Sequence, residues 1–281
     1  MRFTSTMRLF ALATAVASLA VTAVSTPASA DSTWQRLKKT GTLKVGCLAN
    51  ITYHNINKDT GEWEGMVIEA TKQMAKDLEP IGVKNWACEM TTWGTSALGI
   101  QAGKFDTMWN LQATPLRATV ITFAGPLFNQ GIMMVNRKGF SATTWADYDK
   151  PSVKIAVVTG TSTDLVRKLV APNAYPVALT SQNDLSLAVA ANRADALITW
   201  AIAGSVMKAR NPGVGDIVIP TPAYTFPQYV GVARDDDREF ADFMHWWIEW
   251  QRKKGNIEQW LKDRLIQLGM PAEAIPKKLL N

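Results

Sequence analysis

The chain is poor in metal-ligating side chains, with two cysteines and two histidines among 281 residues. Neither pair has the spacing of a structural metal site, so we expect no bound metal and no cofactor. Long apolar runs are also scarce, since only the first thirty residues contain one, and this excludes a protein with several membrane-spanning helices. The net charge of +6 is a small excess for this length and does not indicate a nucleic-acid partner.

The first thirty residues have the organisation of a secretory signal peptide. They begin with two arginines, continue with an apolar stretch of 16 residues, and end in the small-x-small cleavage pattern Ala28-Ser29-Ala30. The stretch is shorter than the roughly 20 residues of a spanning helix, although an uncleaved membrane anchor is the alternative. We predict a signal peptide over residues 1–30, cleavage after Ala30, and an exported chain of 251 residues.

The two cysteines, Cys47 and Cys88, each lie in a strand-like apolar run. Export would bring them into an oxidising compartment, which permits a disulfide. Neighbouring parallel strands, however, often hold two cysteines at an unsuitable distance and angle. We therefore expect two buried thiols and keep the disulfide as the alternative.

Strand-like and helical patterns alternate along the chain, which predicts an α/β fold with mostly parallel sheets flanked by helices. The first cycle predicts strands at 43–48, 86–90 and 107–111 and helices at 65–78 and 96–102. The second cycle predicts strands at 153–158, 177–180 and 196–199, helices at 160–170 and 184–191, and then helices at 235–253 and 257–267. Two cycles indicate two lobes, and ligands of such sheets bind at the carboxyl ends of strands, so we expect a site in the cleft between the lobes.

Six short segments follow one another in the order of a known family. The most specific is residues 114–127, which begins Thr114-Pro115-Leu116-Arg117-Ala118. The other five are residues 41–46, 61–66, 93–106, 157–162 and 192–196. Together they resemble the family 3 solute-binding proteins of ABC importers, which typically bind polar amino acids, and the resemblance covers nearly all of residues 41–267.

The resemblance implies a type II-like, two-lobed periplasmic binding protein fold with two crossing strands as its hinge. Lobe 1 would comprise residues 31–136 and 229–281, and lobe 2 residues 137–228, with crossings near 131–137 and 229–234. It also implies a periplasmic, monomeric, non-enzymatic protein. Such a protein captures an amino acid or related small carboxylate and delivers it to the transmembrane subunits of an ABC permease.

Arg117 is the main candidate for binding the ligand, because its planar, permanently charged guanidinium can hold a carboxylate with two hydrogen bonds. A surface ion pair is the alternative for this residue. Thr161 and Ser162 lie at the start of a predicted helix whose free amides favour an anion, although helix capping alone is equally open. The resemblance adds, along the wall of lobe 1, Tyr53 or His54, Trp93, Asn110 and Gln112.

Two positions depart from the family pattern. Gln112 stands where the family has threonine or serine. Trp200, five residues after Asp195, stands where amino-acid binders usually present an aspartate to the ligand's α-ammonium. We therefore predict a carboxylate whose amine is substituted, delocalised or absent, with Trp200 in the site. The alternatives are that Asp164 has taken over the missing role, or that Trp200 only packs against lobe 2.

Two other functions stay open. A few relatives of this fold are exported dehydratases that act on cyclic carboxylates, and such an enzyme needs an acid or base in the cleft. Glu62, Glu64 and Asp164 are the nearest candidates for that acid or base. A ligand-sensing binding protein is the second alternative. The sequence contains no G-x-S-x-G, P-loop or G-x-G-x-x-G motif.

Overall fold

The computed structural model describes residues 31–272 of the chain. The predicted signal peptide and its cleavage site at Ala30 lie outside the described residues. Within the described part, no helix has the length and apolar character that a membrane crossing requires.

The first part of the described chain alternates strands and helices as the sequence predicts. In chain order its elements are α1 (Thr33–Thr40), β1 (Thr42–Cys47), β2 (Asn55–Ile56), β3 (Trp63–Glu64), α2 (Met66–Asp77), β4 (Asn85–Met90), α3 (Ser96–Gln101), β5 (Thr107–Leu111), α4 (Pro115–Ala118) and β6 (Thr122–Asn136). A short 3-10 turn at Glu79–Ile81 follows α2.

The second part repeats the alternation and ends in two helices. Its elements are α5 (Trp145–Tyr148), β7 (Lys154–Val158), α6 (Ser162–Val170), β8 (Tyr175–Leu179), α7 (Gln182–Ala190), β9 (Ala196–Trp200), α8 (Ala201–Arg210), β10 (Asp216–Val218), β11 (Thr225–Val232), α9 (Glu239–Lys253) and α10 (Asn256–Gln267). Each strand and helix named from the sequence is present. The sequence patterns do not predict α1, β2, β3, α4, α5, α8 or β10. The family resemblance indicates β6 and β11, and only as crossing segments.

The main sheet has the strand order β4-β1-β5-β11-β6-β9-β7-β8, with β10 paired to β6. Strands β4, β1 and β5 are parallel to one another, and so are β8, β7 and β9. The strands between these two groups, β11 and β6, pair antiparallel with their neighbours. Two parallel groups covered by helices and joined by a pair of strands confirm the predicted two-lobed α/β fold.

Strand β6 joins the two groups, since it is 15 residues long and takes part in both. Its first part pairs with β11 as far as Gly131, which lies opposite Thr225, and from Ile132 onward it pairs with β9. The register of β11 shifts at Tyr229 against both of its neighbours, which marks a β-bulge. The chain passes between the lobes through this pair of strands, and the exact lobe boundaries at 136/137 and 228/229 stay a prediction.

The two lobes have separate hydrophobic cores. In lobe 1, a large core lies between β1, α2, α9 and α10, and a smaller one lies between α3 and β5. In lobe 2, two cores cover the faces of β7 and β9. Helix α8 follows lobe 2's strand β9, yet its Ile202 and Val206 are buried in the first core. This apolar contact places α8 against lobe 1.

Cys47 and Cys88 form a disulfide, so the expectation of two buried thiols is wrong. Strands β1 and β4 are parallel neighbours, and their register places Cys88 opposite Val45, two residues before Cys47. The two cysteine Cα atoms are 5.4 Å apart, a distance that a disulfide spans readily. Sequence patterns locate the strands but not their register, and the register decides whether the thiols meet.

Candidate functional site

A cavity that opens to solvent lies between the two lobes where β5, α4 and the start of α6 come together. Its lining residues are Asn50, Tyr53, Trp93, Asn110, Gln112, Arg117, Thr161, Ser162, Thr163, Gln182, Trp200 and Ala203. All eight residues that the sequence predicts as ligand contacts are in this set, so the structure brings them together. That they bind a ligand stays a prediction.

Four lining residues were not predicted: Asn50, Thr163, Gln182 and Ala203. Gln182 opens α7, directly after the capping Ser181, a helix-start signal that sequence reading could have used. Ala203 belongs to α8, which begins immediately after β9 with no intervening turn residues.

Arg117 supplies the formal charge of the cavity and is held by the backbone around it. Thr114 caps the short helix α4, accepting a hydrogen bond from the Arg117 amide at 3.3 Å. The guanidinium, in a residue only 9% exposed, donates to the carbonyl oxygens of Gln112 at 3.2 Å and Trp93 at 2.9 Å. Burial lowers the pKa of Arg117 from its ordinary value, but an arginine side chain stays charged in proteins.

Arg117 forms no ion pair with any residue from 31 to 272. The alternative of a surface ion pair is therefore wrong. The two carbonyl bonds fix the guanidinium plane and leave its other N–H donors free. A buried cation without a carboxylate partner is costly, and an anion entering the cavity would supply that partner.

The amino end of α6 forms the opposite wall. Thr161 is the N-cap, since its hydroxyl accepts from the Asp164 amide at 3.4 Å and donates to the Val158 carbonyl at 2.6 Å. The capping role foreseen for Thr161 is thus present. Ser162 instead points its hydroxyl at lobe 1 and donates to Oε1 of Gln112. The positive end of the α6 dipole adds to the charge of Arg117 and favours an anion.

A buried amide network supports the floor of the cavity. Nε2 of Gln130 donates to the Tyr53 hydroxyl at 2.7 Å and to Oδ1 of Asn110 at 3.4 Å. Burial raises the pKa of Tyr53 above its ordinary value, so the phenol stays protonated and can donate. Asn110 has a left-handed backbone with φ of 61°, a conformation that asparagine tolerates better than most residues and that concentrates at functional sites.

Two half-buried indoles face the cavity from different lobes. Trp93, in lobe 1, lies with its ring centroid 6.4 Å from that of His54. Trp200, at the end of β9, makes an edge contact with Phe226 at 6.0 Å, so it packs against lobe 2 and also lines the cavity. His54 itself lies behind Trp93, fully buried, and burial lowers its pKa to about 3.

Among the described residues, no aspartate or glutamate lines the cavity. Asp164 pairs with its own helix, 3.5 Å from Arg167 Nε and 3.1 Å from Lys168 Nζ, and Glu64 pairs with Arg264 at 2.8 Å. Glu62 is exposed outside the cavity. Nor do three or more potential metal ligands come together anywhere in residues 31–272. Asp164, the alternative acid considered from the sequence, is thus not among the described lining residues.

The sequence profile of the bacterial extracellular solute-binding proteins, family 3, matches residues 43–264. The chain belongs to this family. The match covers both lobes of this solute-binding protein and confirms the resemblance seen in its six sequence segments. A comparison with curated protein sequences finds no significant match.

Solved structures of amino-acid-binding proteins share the fold of this solute-binding protein. The ancestral amino acid-binding protein AncCDT-1, a precursor of cyclohexadienyl dehydratase, is 26% identical with a TM-score of 0.72, covering 83% of this chain and 99% of its own. The L-cysteine solute receptor of Neisseria gonorrhoeae is 18% identical with a TM-score of 0.75, covering 88% and 98%. The amino acid ABC transporter substrate-binding protein AbpA of Streptococcus pneumoniae, bound to L-arginine, is 17% identical with a TM-score of 0.72, covering 84% and 99%.

Proposed function

We propose that this protein captures a small carboxylate-bearing solute in the periplasm and delivers it to the transmembrane subunits of an ABC permease. The observation that carries the proposal is the buried guanidinium of Arg117, which has no acidic partner in the described chain and faces the amino end of α6. A ligand carboxylate would neutralise this cation and accept its remaining hydrogen bonds.

We infer further that the solute lacks a free primary α-ammonium. The described lining offers amides, hydroxyls and two indoles, but no carboxylate to neutralise an ammonium. A primary ammonium without a charged acceptor in a desolvated cleft loses several kcal/mol of solvation. A methylated or ring-embedded amine loses less, and the face of Trp93 or Trp200 attracts such a cation.

Ligand capture would couple to closure of the cleft. Arg117 belongs to lobe 1 and Ser162 to lobe 2, so a ligand touches both only when the lobes are close together. Family membership supports such a cycle, in which the closed form carries the solute to the permease.

A thermal-shift screen tests the proposal. The panel holds betaines, opine-like conjugates, aromatic carboxylates and the common amino acids, with the methyl ester of the best hit as its matched control. A ligand present at 100 times its Kd stabilises by about 2.7 kcal/mol. We expect the largest shift from a carboxylate with a modified or absent amine, and none from its ester. If an unmodified polar amino acid gives the largest shift, the inference about the amine is wrong. If no carboxylate shifts the transition, carboxylate capture is wrong too.

Export and turnover need separate measurements. Amino-terminal sequencing of the periplasmic protein should begin at Asp31. Incubating the best hit with the protein and following it by NMR should leave the solute unchanged, whereas product formation would favour the dehydratase alternative over transport.

A further inference from the structure

The side chain of Gln112 connects three parts of the molecule. Its Oε1 accepts a hydrogen bond from the Ser162 hydroxyl at the start of α6, and its Nε2 donates to Oε1 of Gln228 in β11. Gln228 is fully buried, and its own Nε2 donates to the Phe226 carbonyl at 3.2 Å. A continuous chain of hydrogen bonds thus runs from lobe 2, through Gln112 in lobe 1, to a strand that joins the lobes.

The hydrogen bond between Ser162 and Gln112 differs from the other polar contacts because it joins lobe 2 to the first segment of lobe 1. Within residues 31–272, no other hydrogen bond or ion pair links the segment 31–121 with the segment 137–224. Ile202 and Val206 of α8 add an apolar contact between the lobes. Gln112 therefore takes part in the one hydrogen bond that joins these two segments of the described chain.

Glutamine suits this position because of its length. The serine or threonine that the family pattern has here is two carbon atoms shorter, and it would not span from β5 to both partners. The backbone of Gln112 is fixed as well, since its carbonyl accepts from the Arg117 guanidinium at 3.2 Å. All three linked side chains belong to the protein, so the contact can form before a solute arrives.

We propose that Gln112 is a latch, a positioning residue that holds the two walls of the cleft together. When the solute binds, the Ser162 hydroxyl leaves Gln112 and donates its hydrogen bond to the solute instead. The amide Oε1 of Gln112 accepts a hydrogen bond from the Ser162 hydroxyl, as a carboxylate oxygen would. An incoming carboxylate therefore exchanges one acceptor for another at the amino end of α6. The latch biases the protein toward the closed arrangement without choosing the solute. The release of Ser162 to a carboxylate rests on the proposed function, whereas the bond that holds the two walls together does not.

Small-angle X-ray scattering of the solute-free, dialysed protein tests the latch. The variants are Gln112→Ala, Ser162→Ala and the double substitution, with circular dichroism to confirm that each is folded. Gln182→Ala is the matched control, because Gln182 lines the same cavity but its side chain forms no hydrogen bond within the described chain.

We expect a radius of gyration near 18 Å for the wild type, the value of a compact chain of this length. Gln112→Ala and Ser162→Ala should each raise it, with the closed-to-open ratio falling about tenfold for loss of the bond. The double variant should be no larger than either single one, since both remove the same contact. Gln182→Ala should match the wild type.

The latch is refuted if Gln112→Ala scatters like the wild type, whether both are compact or both are open, or if the two single effects add. Because no solute is present, either outcome leaves the carboxylate screen unaffected. A failed screen likewise leaves the scattering result standing.

Discussion

Replacing Arg117 by alanine is the most direct test of how this cleft binds an anion. The substitution removes the formal charge of the cavity and the two bonds that the guanidinium gives to the carbonyls of Gln112 and Trp93. The helix α4 is capped by the Thr114 side chain and the Arg117 amide, which alanine retains. The substitution should therefore reduce the affinity for the ligand far more than it reduces the free energy of unfolding.

The size of the effect follows from the surroundings of Arg117. Truncating one member of a buried, hydrogen-bonded charge pair costs about 2–5 kcal/mol. Arg117 is 9% exposed, so solvent screens it little, but the cavity opens to solvent on one side. We expect about 3 kcal/mol, which is a loss of about 150-fold in affinity. Arg117→Lys keeps the charge but loses the planar fork, and we expect about a tenfold loss.

Isothermal titration with the carboxylate that gives the largest thermal shift measures both variants. Arg234→Ala is the matched control, because Arg234 also donates to backbone carbonyls, those of Ala118, Thr119 and Ile121, but is exposed outside the cavity. It should leave the affinity unchanged. Unaltered binding by Arg117→Ala, or an equal loss in Arg234→Ala, would show that the guanidinium does not hold the anion.

Three further measurements bear on other parts of the molecule. The Cys47–Cys88 disulfide has a sequence separation of 41, so Cys47→Ser/Cys88→Ser should lose about 4 kcal/mol in urea unfolding, and an unchanged midpoint would contradict the crosslink. Burial lowers the pKa of His54 to about 3, so the unfolded chain binds more protons below its own pKa of about 6.5. The free energy of unfolding should then fall by about 1.4 kcal/mol from pH 7.5 to pH 5.5 in the wild type, and this fall should be smaller in His54→Phe. Trp200→Asp should strengthen binding of L-glutamine about tenfold by supplying a charged acceptor for its ammonium, and unchanged competition by L-glutamine would contradict the role given to Trp200.

Local patterns predicted the elements of this fold because they depend on short stretches of sequence. The strand-like run at 107–111 located β5, and the family segment that begins at Thr114 located Arg117, although the short helix α4 was not predicted. Helix α8 escaped prediction because it follows β9 without a turn and has only a weak apolar face. The disulfide was misjudged because it depends on the register between β1 and β4.

The candidate site was predictable where a motif carried it and not where distant residues meet. Arg117, Trp93 and Ser162 could be named because each lies in a segment of the family pattern. The contact of Gln112 with Gln228 joins residues 116 positions apart, and no periodicity indicates such a pair. The same holds for Gln130, whose side chain orients Tyr53 from 77 positions away.

The antiparallel pairing of β6 with β11 has a consequence for the range of solutes that fit. Both passages between the lobes lie in one ladder, and a ladder cannot slip by one residue without turning every side chain to the opposite face. The lobes can thus twist about the bulge at Tyr229, but they cannot slide along the strands. The separation between Arg117 and the start of α6, measured along the strands, is consequently fixed. We therefore expect the cleft to discriminate between solutes by length more than by width.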